Sequence, residues 1–113
     1  MKNPVNKYYA KKVYDEDYGM FDSQKEYSEY LKLILLQRAG EINGLERQIR
    51  YELIGKNEKF GNCQYIADMR YKDKNGNVHV IDVKGYKKGA AYELYKIKRK
   101  LMFEKLGIFV EEV

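Results

Sequence analysis

Two strand-like runs in the middle of this chain each carry an acid where a strand favours an apolar side chain. The first is Tyr65-Ile66-Ala67-Asp68-Met69-Arg70-Tyr71 and the second is Val80-Ile81-Asp82-Val83-Lys84-Gly85. Between them, Asp73-Lys74-Asn75-Gly76-Asn77 is a hairpin turn signal. With a Lys74-Asn75-Gly76 loop and Gly76 left-handed, the hairpin centres on Asn75 and Asp68 falls directly across from Asp82. Lys84 then shares the face of Asp82, because side chains repeat every second residue along a strand. A two-residue Asn75-Gly76 turn instead sets Asp68 against Val83 and separates the acids. Directly opposed like charges are destabilising, and a buried carboxylate needs a compensating partner, so the first register calls for a divalent cation between the acids. The alternative is an exposed hairpin with solvated charges. Ile66, Ala67, Ile81 and Val83 make these strands too apolar for a solvent-facing ribbon.

A chain of 113 residues supports one domain with a single core. Charged residues make up 35% and apolar ones 44%, a globular rather than disordered balance. The net charge of +5 favours a polyanionic partner, a signal shared by ribosomal, membrane-surface and nucleic-acid proteins. Twelve tyrosines suit stacking on bases and bonding to phosphates, and equally suit half-buried helix faces. The lone Cys63 has no internal disulfide partner, and with no signal peptide the chain reads as cytoplasmic. One Cys and one His exclude a Cys/His zinc site within a single chain. The longest apolar run, Leu33 to Leu36, is far too short to cross a membrane.

Residues 1–14 read as a basic, tyrosine-bearing arm, either a mobile tail or an edge strand, ahead of a domain over 15–113. Ser23-Gln24-Lys25-Glu26 is a capping box opening a helix. Tyr27, Tyr30, Leu31, Ile34, Leu35 and Ala39 form its expected buried stripe, and Gly40 ends it. A strand follows around 47–54, then a loop to 62, then the two acidic strands at about 64–71 and 78–84. A basic loop over 85–89 leads into a second helix, about 91–106, and Ile108-Phe109-Val110 makes a last strand. The order helix, three strands, helix, strand predicts an α/β fold. Three strands form a meander, and the helical crossover returns the fourth parallel to a neighbour.

That order, with Asp68 on the second strand and Asp82-Val83-Lys84 on the third, resembles the PD-(D/E)xK nuclease superfamily over nearly the whole chain. Asn6-Lys7-Tyr8, Phe21-Asp22-Ser23-Gln24-Lys25-Glu26, Leu45-Glu46-Arg47-Gln48, Tyr65-Ile66-Ala67-Asp68 and Asp82-Val83-Lys84-Gly85 look more narrowly like a small phage and prophage family. That family was formerly carried as a domain of unknown function, and it is similar to the Holliday-junction-resolving and transposon-end-cleaving branches. Ala67 stands where the superfamily pattern has a proline, which is often absent. The resemblance implies a restriction-endonuclease-like α-β-β-β-α-β core, a mixed sheet flanked by two helices.

It also implies the chemistry of a Mg²⁺-dependent endodeoxyribonuclease, with Mn²⁺ as a substitute. Asp68 and Asp82 are hard oxygen ligands, and Mg²⁺ takes few of these while keeping several waters. The carbonyl of Val83 would add a ligand, as in relatives. Lys84 would orient the attacking water or stabilise developing charge. Glu26 matches a first-helix acid that often completes the metal site. It also fits the bland role of closing the capping box, with Glu29 one turn on as the fallback acid. Gln48 would bond the attacking water or satisfy a buried backbone group. Lys87, Lys88, Tyr92, Lys98 and Arg99, on or before the second helix, would track DNA, against the alternative of a solvated helix face. His79 falls on the face opposite Asp82.

The expected activity is hydrolysis of DNA on branched or recombination intermediates. Symmetric cutting of a junction needs two active sites, so a homodimer follows, with the N-terminal arm as an exchange element. Two rivals stand beside it. One is a catalytically inactive nuclease-fold protein that binds DNA or a phage partner; the other is a structural phage protein whose charges are solvated.

Overall fold

The computed structural model describes residues 11–113. The first ten residues, with most of the basic arm and the Asn6-Lys7-Tyr8 motif, lie outside the described residues. The chain opens with β1 (Val13–Asp15) and β2 (Gly19–Phe21), an antiparallel pair forming its own small sheet. Asp15 Oδ1 accepts the amides of Asp17 and Tyr18 at 2.8 and 3.0 Å and so closes the turn between them. The acidic run 15–17 is therefore a hairpin turn, and β1 takes in the last two residues of the stretch read as an arm.

Helix α1 (Gln24–Arg38) starts where the capping residue dictates: Ser23 Oγ accepts the Glu26 amide at 3.0 Å. Its buried face overlaps the expected stripe at Tyr30, with Tyr27 and Ile34 packed against the core beside it. Glu26, Tyr30 and Leu33 are buried, whereas Leu35 is 65% exposed. Gln37, on the same face, accepts the Leu45 amide at 2.9 Å. Two polar residues, Glu26 and Gln37, occupy sheet-facing positions, so an apolar count alone displaces the stripe toward Leu35.

Next come β3 (Ile42–Ile54), β4 (Cys63–Asp73) and β5 (Val78–Asp82), then α2 (Ala90–Leu106) and β6 (Val110–Glu112). The sheet order is β3-β4-β5-β6, antiparallel except for the parallel β5–β6 pair. This is the expected α/β arrangement: two helices and a mixed four-stranded sheet, the last strand returned beside the third of the meander by a helical crossover. Gly107, left-handed at φ 68°, ends α2, and the amide of Ile108 turns back to the Met102 carbonyl at 3.3 Å.

The core divides in two. Around α2 lie Leu53, Tyr65, Ala67, Val80, Tyr95, Met102 and Val110; around α1 lie Phe21, Tyr30, Leu33, Ile42, Met69 and Ile81. Residues of one parity share a face in a regular strand. Along β4, however, Tyr65 and Ala67 pack with the α2 cluster while Met69 and Tyr71 pack with the α1 cluster. Along β3, Leu45 belongs to the α1 side and Tyr51 and Leu53 to the α2 side. Both strands change sides midway. The change coincides with an interruption in their ladder, where Arg47 pairs Met69 and Ile49 pairs Ala67 but Gln48 and Asp68 between them do not pair regularly. Gln48 has φ 54°, the one positive value at a non-glycine position among the described residues.

Candidate active site

The turn decides the site. Gly76 donates to the Asp73 carbonyl at 3.0 Å, the Asp73 amide bonds the Asn77 carbonyl at 2.9 Å, and Gly76 is left-handed at φ 84°. This is the three-residue loop, and it sets Met69 against Ile81, Arg70 against Val80 and Tyr71 against His79. Asp68 comes next in line, across from Asp82. Asp82 in turn pairs Glu112 on β6. One row across the sheet therefore reads Gln48, Asp68, Asp82, Glu112, polar at every strand.

Both aspartates line a cleft of about 750 Å³ together with Glu26, Val83, Lys84 and Lys98. Asp82 is buried, 4% exposed, and protein groups hold both of its oxygens. Lys84 Nζ lies 3.0 Å from Oδ1, and the Tyr65 hydroxyl donates a short hydrogen bond to Oδ2. Lys84 Nζ also sits 3.9 Å above the centre of the Tyr95 ring, which fixes the ammonium over an aromatic face. Asp68 has less support: the Val83 amide donates to Oδ2 at 2.8 Å. Burial first, and then the charge of Asp82, push its carboxyl up to about 7, against the relief from that amide. A buried carboxyl pushed up in this way beside a second one marks a place where positive charge is wanted.

Glu26 enters from α1, 3% exposed. Its amide completes the Ser23 half of the capping box, and its carboxylate faces β3. Gln48 Nε2 donates to Oε2 at 3.3 Å, and Arg47 Nη2 stands 3.5 Å from the same oxygen. Burial raises its pKa, with the Asp22 charge adding to the rise and Arg47 opposing it. Glu29, the fallback acid, pairs instead with Lys32 at 3.4 Å. Arg47 clips the small hairpin to this corner: Nη1 and Nη2 donate to the Tyr18 and Met20 carbonyls at 2.9 and 2.7 Å, and the guanidinium stacks 3.6 Å over Phe21.

Of the five expected DNA contacts, Lys98 lines the cleft. Lys87 Nζ lies 3.0 Å from Glu112, and the Tyr92 hydroxyl donates to the same carboxylate at 3.1 Å. Arg99 Nε donates to the Val110 carbonyl at 2.8 Å with its guanidinium over Phe109, on a different groove. Lys88 is exposed on the loop before α2. Lys25, unremarked in the sequence, donates to the Lys84 carbonyl at 2.6 Å, and Lys11 also lines the cleft. Tyr65, Glu112 and Arg47 are the other residues that sequence reasoning passed over. Tyr65 carries no signal beyond its odd spacing from Asp82; Glu112 needed the parallel register of β6. His79 sits away from the cleft, stacked on Tyr71.

Among the described residues, no three His, Cys, Asp or Glu side chains converge tightly enough to cage a metal ion on their own. A cation that keeps most of its water needs only one or two carboxylates. Asp68 and Asp82, which line one cleft together with Val83, fit that donor set. No helix among the described residues is long and apolar enough to cross a membrane. No curated protein and no solved structure matches the chain. The model of a family described as a protein of unknown function, DUF1064, matches residues 5–111, and the chain belongs to that family.

Proposed function

We propose that this protein is a metal-dependent endodeoxyribonuclease of the PD-(D/E)xK type, using Mg²⁺ and acting on branched or recombination intermediates. The observation that carries the reading is the opposition of Asp68 and Asp82 in a cleft, with Lys84 on Asp82 and Glu26 arriving from the helix. The order of helices and strands supports it, since the α-β-β-β-α-β core brings these residues together in the same way.

When bound, the cation supplies charge neutralisation on the phosphate and an acidified water. The chain's own groups do the rest. Asp68 and Asp82, with the Val83 carbonyl, would hold the ion, and Glu26 extends the acidic wall. Lys84, held by Asp82 and the Tyr95 ring, places a positive charge beside the reacting phosphate. Gln48 orients Glu26 through its amide. Lys11, Lys25 and Lys98 around the cleft supply the cationic rim that draws a phosphate backbone in. Cutting both strands of a junction requires two such clefts and hence a homodimer, which a sedimentation measurement checks.

A second reading, a nuclease-fold protein that binds DNA without cutting it, draws on one observation: both Asp82 oxygens are already bonded within the protein. The test is nicking of supercoiled plasmid by purified protein with Mg²⁺, with EDTA, and with Asp82→Asn. Nicking that needs both Mg²⁺ and Asp82 is expected. DNA binding that weakens with salt, without any nicking, would favour the silent binder and overturn the enzyme.

A further inference from the structure

Tyr65 stands three residues before Asp68 on β4, yet its hydroxyl serves the other aspartate. It is 4% exposed, its ring packs in the α2 cluster 6.4 Å from that of Tyr95, and its hydroxyl donates to Asp82 Oδ2. Lys84 holds Oδ1 of the same carboxylate at 3.0 Å. With both oxygens pinned, the Asp82 carboxylate cannot rotate about its own axis. Asp68, by contrast, is bonded at Oδ2 alone among the described residues. The change of side in β4 makes this possible: Tyr65 sits in the α2 cluster and Met69 in the α1 cluster, with Asp68 between them.

We propose that Tyr65 is a positioning residue that fixes the Asp82 carboxylate for a divalent cation shared with Asp68. The inference rests on the reading of Asp82 as a cation-holding group. Lys84 cannot fill this role alone, because the ammonium is a point charge on a flexible stem, and in the proposed reaction it attends the phosphate. A hydroxyl on a buried ring is rigid. Groups that orient a metal-binding carboxylate in this way typically change metal affinity by about 10–100-fold when removed.

The test is Mn²⁺ affinity by calorimetry for the wild type, Tyr65→Phe and Tyr71→Phe, each also assayed for plasmid nicking. Tyr65→Phe keeps the ring and its packing, and Tyr71→Phe makes the same deletion elsewhere on β4. The expected result is an affinity about tenfold weaker in Tyr65→Phe and within about twofold of wild type in Tyr71→Phe. A measurement on the unaltered protein stands beside it, in case Tyr65→Phe does not fold. The Tyr65 Cζ resonance should move when Mg²⁺ is added to the wild type and stay still in Asp82→Asn. Equal Mn²⁺ affinity in wild type and Tyr65→Phe, or a Tyr65 Cζ signal unmoved at Mg²⁺ saturation, overturns the inference even if the protein cuts DNA. A wild type that binds Mn²⁺ but nicks nothing sinks the nuclease reading alone, with the affinity ratio still deciding Tyr65. A wild type that binds neither Mn²⁺ nor Mg²⁺ overturns both.

Discussion

Gln48 is the residue whose backbone says most about the site. A non-glycine side chain at φ 54° inside a strand is strained by about 1–3 kcal/mol, and such strain persists where surrounding structure imposes it. Here the imposed result is an amide on Glu26 and a pleat that changes sides beside Asp68. In ordinary strands glycine is less stable than alanine by about 0.5–1 kcal/mol. At position 48 the order should reverse. Gln48→Gly and Gln48→Ala lose the same hydrogen bond, but the glycine variant also loses the strain and should be more stable by about 1 kcal/mol in urea unfolding. An alanine variant at least as stable as the glycine one would remove the strain argument. Lys84→Ala should reduce cleavage by about 10²–10³-fold in a protein that still folds and still binds Mn²⁺. Cutting at the wild-type rate would strip Lys84 of its role, and parallel loss of DNA binding would make it a phosphate contact.

At the scale of elements, β6 is held to the sheet by charge as much as by its short ladder. Glu112 bonds Lys87 and Tyr92, while Glu111 lies 2.7 Å from His79 Nδ1, whose Nε2 is 2.8 Å from Asp73. A protonated imidazole donates to both carboxylates, and a neutral one donates to one. The bond to Asp73, with help from Glu111, raises the His79 pKa, and the same bond lowers that of Asp73. The raised histidine contributes stability that is complete below its ordinary value of 6.5 and disappears as pH climbs through the higher folded value. The lowered Asp73 contributes above its ordinary 3.8 and is lost on acidification. The strap is thus strongest between those two values. Urea unfolding from pH 5.5 to 8.5 should show a fall in stability above 6.5 that is shallower in His79→Gln. Asp68 also moves stability downward as pH rises toward 7, so the difference between the two proteins, rather than either slope, carries the test. Identical slopes above 6.5 would mean that the strap contributes nothing.

At the scale of the whole molecule, the parts legible in the sequence are those fixed by local chemistry. Gly76 after Asn75 sets the turn, the turn sets the register, and the register opposes Asp68 and Asp82; each step is a rule about neighbours. The helical crossover and parallel last strand follow from element order. What escaped was set at long range or by very short elements. The three-residue strands β1 and β2 carry too few positions for a period to show. Lys87 and Arg99 read as free cations until β6 folds back beneath them. The left-handed turn at Gln48 has no marker in residue type, and Tyr65 reads as one core tyrosine among twelve.

The same register has a consequence for the whole fold. Asp68 has a folded pKa of about 7 against an ordinary 3.8, so the metal-free protein should lose stability as pH rises through that interval. A cation between the acids should restore it, since anything that binds the native state alone stabilises that state. Titrating Mn²⁺ into wild type and Asp82→Asn at pH 8, with melting temperature followed in parallel, addresses the carboxylate pair directly. The wild type should bind at a saturable site and melt higher, while Asp82→Asn stays folded and shows neither effect. Equal binding and equal stabilisation in the two proteins, or none in the wild type, would contradict the assignment of Asp68 and Asp82 as a cation site.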